Sequence, residues 1–254
     1  MRLVVLGSGT SSGVPIPTCP CDVCRSDDPR DRRWRTSAWL TWDDASILID
    51  TSSDLREQAL RFEIPKVDAV LYTHAHADHV LGLDDLRVYN WHRGGSIPAY
   101  ASAETCESVR RTFWYAFEED DHPSVKPAID LTPVSEPFEV AGKRIVPVPV
   151  DHGPQQILGY RIDDVAYLTD VSGVPRNSLE LLRGLDALIL SALRDRPHAT
   201  HMTLDQAIAC ARRIGAKRTW FTHMSHELGH VETEARLPAG IRLAFDGLVV
   251  TSNA

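Results

Sequence analysis

The stretch Tyr72-Thr73-His74-Ala75-His76-Ala77-Asp78-His79 constrains this chain more than any other. It follows the apolar run Ala69-Val70-Leu71-Tyr72, which reads as a short buried strand. Three histidines and one aspartate then fall within six residues. Neutral imidazole and carboxylate are the common ligands of zinc, manganese and iron. His74 and His76 are two apart, so they face the same way only while the backbone stays extended. Asp78 and His79 are adjacent and face different directions. The stretch therefore suits two metals side by side, with His74 and His76 on one and Asp78 and His79 on the other.

A His-x-His-x-Asp-His run after a strand resembles the signature of the metallo-β-lactamase superfamily. The resemblance implies an α/β fold, the αββα sandwich, with two mixed sheets packed face to face and helices outside. It also implies a two-metal site along one edge. It leaves the reaction open, since one fold hosts many chemistries.

Composition narrows the class. At 254 residues the chain is compatible with one α/β domain or two small ones, and the resemblance favours a single domain over 1–254. At 43% hydrophobic it can bury a sizeable core. No run approaches the ~20 apolar residues that a spanning helix needs. Met1–Gly7 is too short an apolar run for an export signal and reads as a strand. Three of the five cysteines lie close together, which without such a signal favours a metal site over disulfides and predicts a cytoplasmic location. The net charge of −8 argues against broad nucleic-acid binding. A small anionic substrate remains compatible, because bound metals reverse the local sign.

Along the chain, residues 2–7 form the first expected strand, and the glycine-rich segment Gly7–Pro15 follows. That segment lacks the lysine and spacing of a phosphate-cradling loop. Glycines there allow close backbone approach beside the metal site. Cys19-Pro20-Cys21-Asp22-Val23-Cys24 is a C-x-C-x-x-C knuckle. Its three thiolates suit tetrahedral zinc that lacks one ligand, and a closed site of that kind is structural. Residues 27–35 are rich in charge and read as a solvated loop. Ser37–Trp42 and Ser46–Asp50 read as a hairpin about Asp43-Asp44. Asp54–Arg61 reads as a short helix, and Gly82–Leu86 as the start of another. Ile97–Tyr100 is an expected strand, and Ala103–Phe117 one continuous helix with Val109, Phe113 and Phe117 on a core stripe. The acidic segment Glu118–Pro123 reads as a loop, with His122 on the surface.

The second half repeats the pattern. Lys143–Val150, Gly159–Ile162, Val165–Thr169, Asp186–Leu190, Arg218–Phe221 and Leu248–Val250 read as strands. Thr203–Ile214 reads as a helix, with Thr203 and Gln206 as a capping box and Gly215 as its C-terminal cap. His152, Asp170 and His223 each sit at a strand end.

Taken in this order, the three match the remaining superfamily ligands. The resemblance then assigns His74, His76 and His152 to one metal, Asp78, His79 and His223 to the other, and Asp170 to both. Two divalent cations balanced by Asp78, Asp170 and a bridging hydroxide leave the site near one positive charge, which suits a phosphodiester anion. His201 lies two residues before the Thr203 cap and is the expected proton donor to a leaving oxygen; His198 is the weaker candidate. If His223 turns into the site, His226 can turn away and complete the knuckle as Cys3His.

The knuckle, the H-x-H-x-D-H run, His201 and Thr222-His223-Met224-Ser225-His226 together resemble the PhnP-type phosphodiesterases, over essentially the whole chain. That resemblance implies hydrolysis of 5-phosphoribosyl 1,2-cyclic phosphate or a similar small cyclic diester. It implies two active-site metals, manganese or zinc, and one structural zinc. A small phosphodiester is the expected partner, and a homodimer is compatible with it. An RNase Z-type tRNA endonuclease is the nearest rival, but no Gly/Lys-rich insertion supplies an RNA-holding arm. Glyoxalase-type and di-iron redox readings lack their appended domains. A non-catalytic metal-binding relative that keeps the knuckle is the alternative from another class.

Overall fold

The computed structural model describes residues 1–118 and 125–252. The acidic segment 119–124, with His122, lies outside the described residues. The first half gives β1 (Arg2–Gly7), β2 (Ser37–Trp42), β3 (Ala45–Ile49), β4 (Ala69–Leu71), β5 (Ile97–Ala101) and β6 (Ile129–Pro133). The second gives β7 (Phe138–Val140), β8 (Lys143–His152), β9 (Gln155–Ile162), β10 (Val165–Leu168), β11 (Ala187–Ser191), β12 (Arg218–Thr222), β13 (Ile241–Leu243) and β14 (Val249–Thr251). They form two seven-stranded sheets, β14-β1-β2-β3-β4-β5-β6 and β13-β12-β11-β10-β9-β8-β7. β3 to β6 pair in parallel, as do β10 to β13, and the hairpins β2–β3, β8–β9 and β9–β10 are antiparallel.

The helices are α1 (Asp22–Arg25), α2 (Leu55–Arg61), α3 (Ala77–Val80), α4 (Arg87–Arg93), α5 (Ala103–Thr112), α6 (Trp114–Phe117), α7 (Arg176–Leu181), α8 (Leu204–Ile214) and α9 (His230–Glu234). Alternation along each strand decides the layers, because successive side chains face opposite sides. Leu3, Leu40, Ile47 and Ile49 meet Tyr160, Tyr167 and Ile189 between the sheets. Val4, Leu48 and Val70, on the other face of the first sheet, meet Leu55, Leu83 and Val109. Leu188, Leu190 and Phe221 meet Leu204 and Ala207 of α8 on the outer face of the second. Three apolar interfaces between four layers make the αββα sandwich.

Several local expectations need correction. The helix from Ala103 breaks at Phe113, whose φ of −109° and ψ of 40° leave the helical region, and Thr112 Oγ1 donates to the Ser108 carbonyl at 2.9 Å in the turn before it. Phe113 still enters the core, while Trp114 is 62% exposed. β8 runs through Asp151 and His152, and β9 begins at Gln155, so the strand ends later than its apolar pattern. Leu81–Leu86 is a 3-10 turn, and the helix proper starts at Arg87. β7 and β13 have three residues each, too few to show a period.

The charged segment 27–35 is not simply a solvated loop. Asp31 and Arg33 are buried and paired at 2.9 Å. Arg33 also donates to the carbonyls of Ser225 at 3.0 Å and Leu228 at 2.6 Å. Asp31 accepts from the His230 amide at 2.9 Å. Removing one partner of such a pair leaves a buried charge and typically costs about 3–5 kcal/mol. The glycine-rich segment braces the same region. A Cβ on Gly7 would collide with the Arg35 carbonyl, while Thr10 N and Ser8 O bond the Met224 backbone at 3.1 and 2.9 Å. The loop between His223 and His226 is therefore held from two sides.

Candidate active site

The C-terminal ends of the parallel strands converge on one edge, where open α/β sheets commonly place ligands. Tyr72 and Thr73 extend from β4 and deliver His74. His76 is the N-cap of α3, with extended φ −66° and ψ 151°, and Asp78 and His79 ride in that helix's single turn. This is the switch from extended to turned backbone that the spacing required. Asp170 and His223 leave β10 and β12 with φ of 58° and 57°, and Asp50 leaves β3 with φ of 61°. The left-handed region is sparse for residues other than glycine, and Asp and His are among those enriched there. Each such turn points a side chain off the sheet edge.

Asp50 is a residue that sequence reasoning missed. Its carboxylate is fully buried and accepts from the Thr73 amide and from Thr73 Oγ1, both at 2.8 Å. His79 Nδ1 lies 2.7 Å from Asp50 Oδ2, so that nitrogen donates and Nε2 is the atom left to face a cation. Thr73 Oγ1, its proton directed at Asp50, accepts from His74 Nδ1 at 3.0 Å. Asp50 thus fixes the tautomers of His74 and His79 together, the role that carboxylates behind metal-ligating histidines play. The signal was present: Asp50 follows the apolar run Ile47-Leu48-Ile49, as His74, Asp170 and His223 follow theirs.

His79 Nε2 lies 3.3 Å from Asp78 Oδ2 and 3.3 Å from Asp170 Oδ1. The other oxygen, Asp170 Oδ2, lies 3.2 Å from His223 Nε2, 3.8 Å from His74 Nε2 and 3.9 Å from His201 Nδ1. Asp170 therefore stands between the two sets the sequence proposed. His74, His76, His152 and Asp170 form one group whose donor atoms lie within 4.8 Å of one another, and Asp78, His79 and His223 form another. His152 is fixed by Nδ1, which donates to the Thr200 carbonyl at 2.8 Å.

The donor set fits divalent cations. His79 Nε2, His201 Nδ1 and both ring nitrogens of His223 are buried without a hydrogen-bond partner among the described residues. Orphans of this kind are rare in folded proteins, and three of them, His79 Nε2, His201 Nδ1 and His223 Nε2, face the Asp170 carboxylate. The carboxylates, His74 and His76 are in the ligating form, while Asp170 and Asp50 raise His79 well above the ordinary imidazole range against the effect of burial, so a bound cation would displace its Nε2 proton. Burial works against the Asp78 and Asp170 carboxylates, but His223 and His79 hold both below the usual range. Burial and neighbouring imidazoles push His74 and His76 down, so both stay neutral. Ionised carboxylates and neutral imidazoles are the forms that ligate.

His201 sits at the rim of this cluster, its ring stacked on His223 at 5.0 Å between centroids and edge-on to His152 at 4.8 Å. The α8 capping box, with Thr203 and Gln206, fixes the turn that carries it. Because His201 Nδ1 also groups with Asp170 and His223, the residue lies within reach of the same centre. His198 is exposed, 4.9 Å from the His201 ring.

The knuckle assembles on the far side of the His223 loop. Cys19 Sγ and Cys21 Sγ each lie 3.3 Å from His226 Nδ1, and with Cys24 their donor atoms lie within 4.8 Å. The Cys24 amide, donating to Cys21 Sγ, pulls that thiol down to about 6, while burial pushes Cys24 up to about 11.

The β-lactamase superfamily domain matches residues 45–224, from β3 through the His223 loop. A solved diphosphatase of the PhnP family is 48% identical and superposes with a TM-score of 0.93, covering 99% of this chain and 98% of its own. This chain belongs to the PhnP family of the metallo-β-lactamase superfamily. The octanoyltransferase of Porphyromonas gingivalis is 42% identical over 253 residues, which are 98% of this chain but 51% of that protein. The chain therefore spans about half the length of that curated relative. Zinc-bound PqqB from Methylobacterium extorquens shares the superfamily fold, with a TM-score of 0.81 at 22% identity over 99% of this chain and all of its own. Among the described residues, no helix is long and apolar enough to cross a membrane.

Proposed function

We propose that this protein hydrolyses a small cyclic phosphodiester, of the 5-phosphoribosyl 1,2-cyclic phosphate type, at a dinuclear metal site. The observation that carries the reading is Asp170, whose carboxylate lies between the two donor groups, with Oδ1 toward His79 and Oδ2 toward His223 and His74. In it, His74, His76 and His152 would hold one cation and Asp78, His79 and His223 the other, with Asp170 serving both. A bound pair of manganese or zinc ions would supply Lewis acidity and a water activated at neutral pH. Asp50 keeps His74 and His79 aimed through their Nδ1 protons. His201 stands at the open rim and gives its proton to the leaving alkoxide. Beside His74 and His76 opens a cleft of about 190 Å³, below the 300–1,000 Å³ usual for drug-sized ligands, which favours a small substrate.

A second reading comes from the 48%-identical PhnP-family diphosphatase: the bond broken is a phosphoanhydride. Acyl transfer, the activity in the name of the Porphyromonas gingivalis relative, has less support. Cys106 and Cys210 are buried, and the other thiols gather at His226. The test is a panel offered to protein reloaded with manganese or zinc: a ribose cyclic phosphate, a 2′,3′-cyclic nucleotide, a diphosphate ester and pre-tRNA. Turnover of the cyclic phosphates is expected. Turnover of the diphosphate alone moves the assignment to the second reading, and of pre-tRNA alone to an RNase Z-type enzyme. No turnover with both metals bound leaves a non-catalytic metal-binding protein.

The reading includes a structural zinc on Cys19, Cys21, Cys24 and His226, and such thiolates fit a reducing cytoplasm. Cys21→Ser is expected to remove one zinc and to lower stability by about 3 kcal/mol, the scale of losing a ligand held at 100-fold excess over its Kd. For a chain of this size that is roughly 5–10 °C in melting temperature. Unchanged zinc content and melting temperature would show that the knuckle holds no ion.

A further inference from the structure

A second cleft, of about 430 Å³, opens between the glycine-rich segment, residues 32–35 and α2. It shares no lining residue with the cleft at His74 and contains none of the seven proposed metal ligands. Its volume falls within the 300–1,000 Å³ usual for small-molecule sites. Arg32, Arg33, Arg35 and Arg61 all line it, in a chain of net charge −8.

Two of these arginines are spent. Arg33 is buried on Asp31 and the carbonyls of Ser225 and Leu228. Arg35 pairs with Asp54 at 2.8 Å and donates through Nε to the Ser11 carbonyl at 2.9 Å. The carboxylates of the cleft are committed as well. Asp54 also accepts from the Arg35 amide at 2.8 Å. Asp246 accepts from the Ser8 amide and hydroxyl, both at 2.8 Å, and from the Trp34 amide at 2.7 Å.

Arg61 and Arg32 are exposed and keep most of their donors. The Arg61 guanidinium lies 5.2 Å from the centroid of the Trp34 ring and 5.7 Å from that of Phe62. It has no ion pair or hydrogen bond among the described residues. Stacking on a ring face holds a guanidinium in place and leaves its in-plane N–H groups unspent. Arg32 makes one hydrogen bond, from Nη2 to the Ser26 carbonyl at 3.2 Å. Trp34 is half-buried, and its indole N–H has no acceptor among the described residues. The place of Arg61 in the last turn of α2 suits the helix dipole, and its stem covers apolar surface. Those effects explain one arginine over one ring. They leave unexplained a second uncommitted arginine and a free indole donor on the walls of the same cleft.

We infer that this cleft is a second binding site, separate from the metal centre, for a small molecule carrying a phosphate group. Two guanidinium forks from different segments suit the several oxygens of a phosphate, where a carboxylate fills only one fork. Val14, Pro15 and Pro17 give the carbon part of such a ligand an apolar wall. The inference does not depend on which reaction the metals support.

The experiment titrates zinc-loaded protein with inorganic phosphate and, in a second arm, with ribose 5-phosphate. It follows the indole N–H signal of Trp34 by NMR, assigned by its absence in Trp34→Phe. A saturable shift is expected in both arms, with a Kd of ~1 mM or tighter. Arg61→Ala should weaken binding by ~10–100-fold, the scale of hydrogen bonds to a charged group, and Arg61→Lys should recover part of it. Arg32→Ala leaves the stack on Trp34 in place and should weaken binding as well. Asp170→Asn, at the metal centre, should leave the titration unchanged. A Trp34 signal that stays still, or that moves as far in sodium chloride of matched ionic strength, overturns the site. So does a Kd unchanged in both arginine-to-alanine variants, or one lost in Asp170→Asn. Acetate binding as tightly as phosphate overturns the assignment of ligand class.

Discussion

Asp170→Ala is expected to lower phosphodiester hydrolysis by at least ~10³-fold and to remove at least one metal equivalent from dialysed protein, the several kcal/mol that such a site supplies. The reason is position. Asp170 Oδ1 faces His79, and Oδ2 faces His223 and His74, so one side chain belongs to both donor groups. It also carries negative charge in a buried place, where His223 and His79 hold its carboxyl well below the ordinary range against the cost of burial. Without it, converging imidazoles would have only Asp78 to offset two cations. Alanine brings a second effect, because Asp170 has φ of 58°, a conformation that alanine adopts less readily than aspartate. Asp170→Asn separates the two. Asparagine tolerates the left-handed turn and keeps the shape but loses the charge, so it should fold like wild type and still bind metal poorly. Two full equivalents of metal with normal turnover in either variant would sink the proposed ligand set.

The same geometry explains which features were legible in the sequence. Ligands of this kind sit where an apolar run stops and a sharp turn begins, and both events are written locally. The H-x-H-x-D-H run could be read because Ala69-Val70-Leu71 announces its strand, and His152, Asp170 and His223 because theirs do likewise. Asp50 met the same criterion and was passed over, because Ser46–Asp50 was read as one arm of a hairpin. β3 does pair with β2 that way, but on its other side it lies parallel to β4. That second neighbour places Asp50 behind His74 and His79, and no local pattern states which strands are neighbours.

Arg33 is the opposite case. Its surroundings in sequence are Asp27, Asp28, Arg30, Asp31 and Arg32, and a charge run is ordinarily solvated. Burial came from residues about 190 positions away: the carbonyls of Ser225 and Leu228. The Ser225 carbonyl lies between His223 and His226, and that of Leu228 lies two residues beyond His226. A buried arginine at that point ties the knuckle, the glycine-rich segment and a proposed active-site ligand into one body. The break at Phe113 was invisible for a similar reason. Thr112 and Phe113 are compatible with helix by pattern, and the departure is seen only in the Phe113 backbone, whose side chain turns into the core.

His201→Ala is expected to keep both metals and to lose ~10²–10⁴-fold in rate on a ribosyl or alkyl diester, the usual contribution of a positioned proton donor. On a bis-nitrophenyl diester the loss should be far smaller, since a nitrophenolate departs without a proton. Burial, with His223 and His152 beside it, pushes the His201 imidazole down to about 3, against the pull of Asp170. The free site therefore holds it neutral at pH 7. A phosphate anion docked at the rim favours the charged form and raises its proton affinity, so the ring gains its proton together with substrate. The leaving-group comparison tests this directly. Equal losses on both diesters would make His201 a hydrogen-bond donor to the phosphate oxygens, neutral throughout. Loss of metal would make it a ligand, an outcome its place beside Asp170 and His223 allows, and would displace one of the seven proposed. Retained metal with a loss confined to poor leaving groups is the result that assigns His201 the proton.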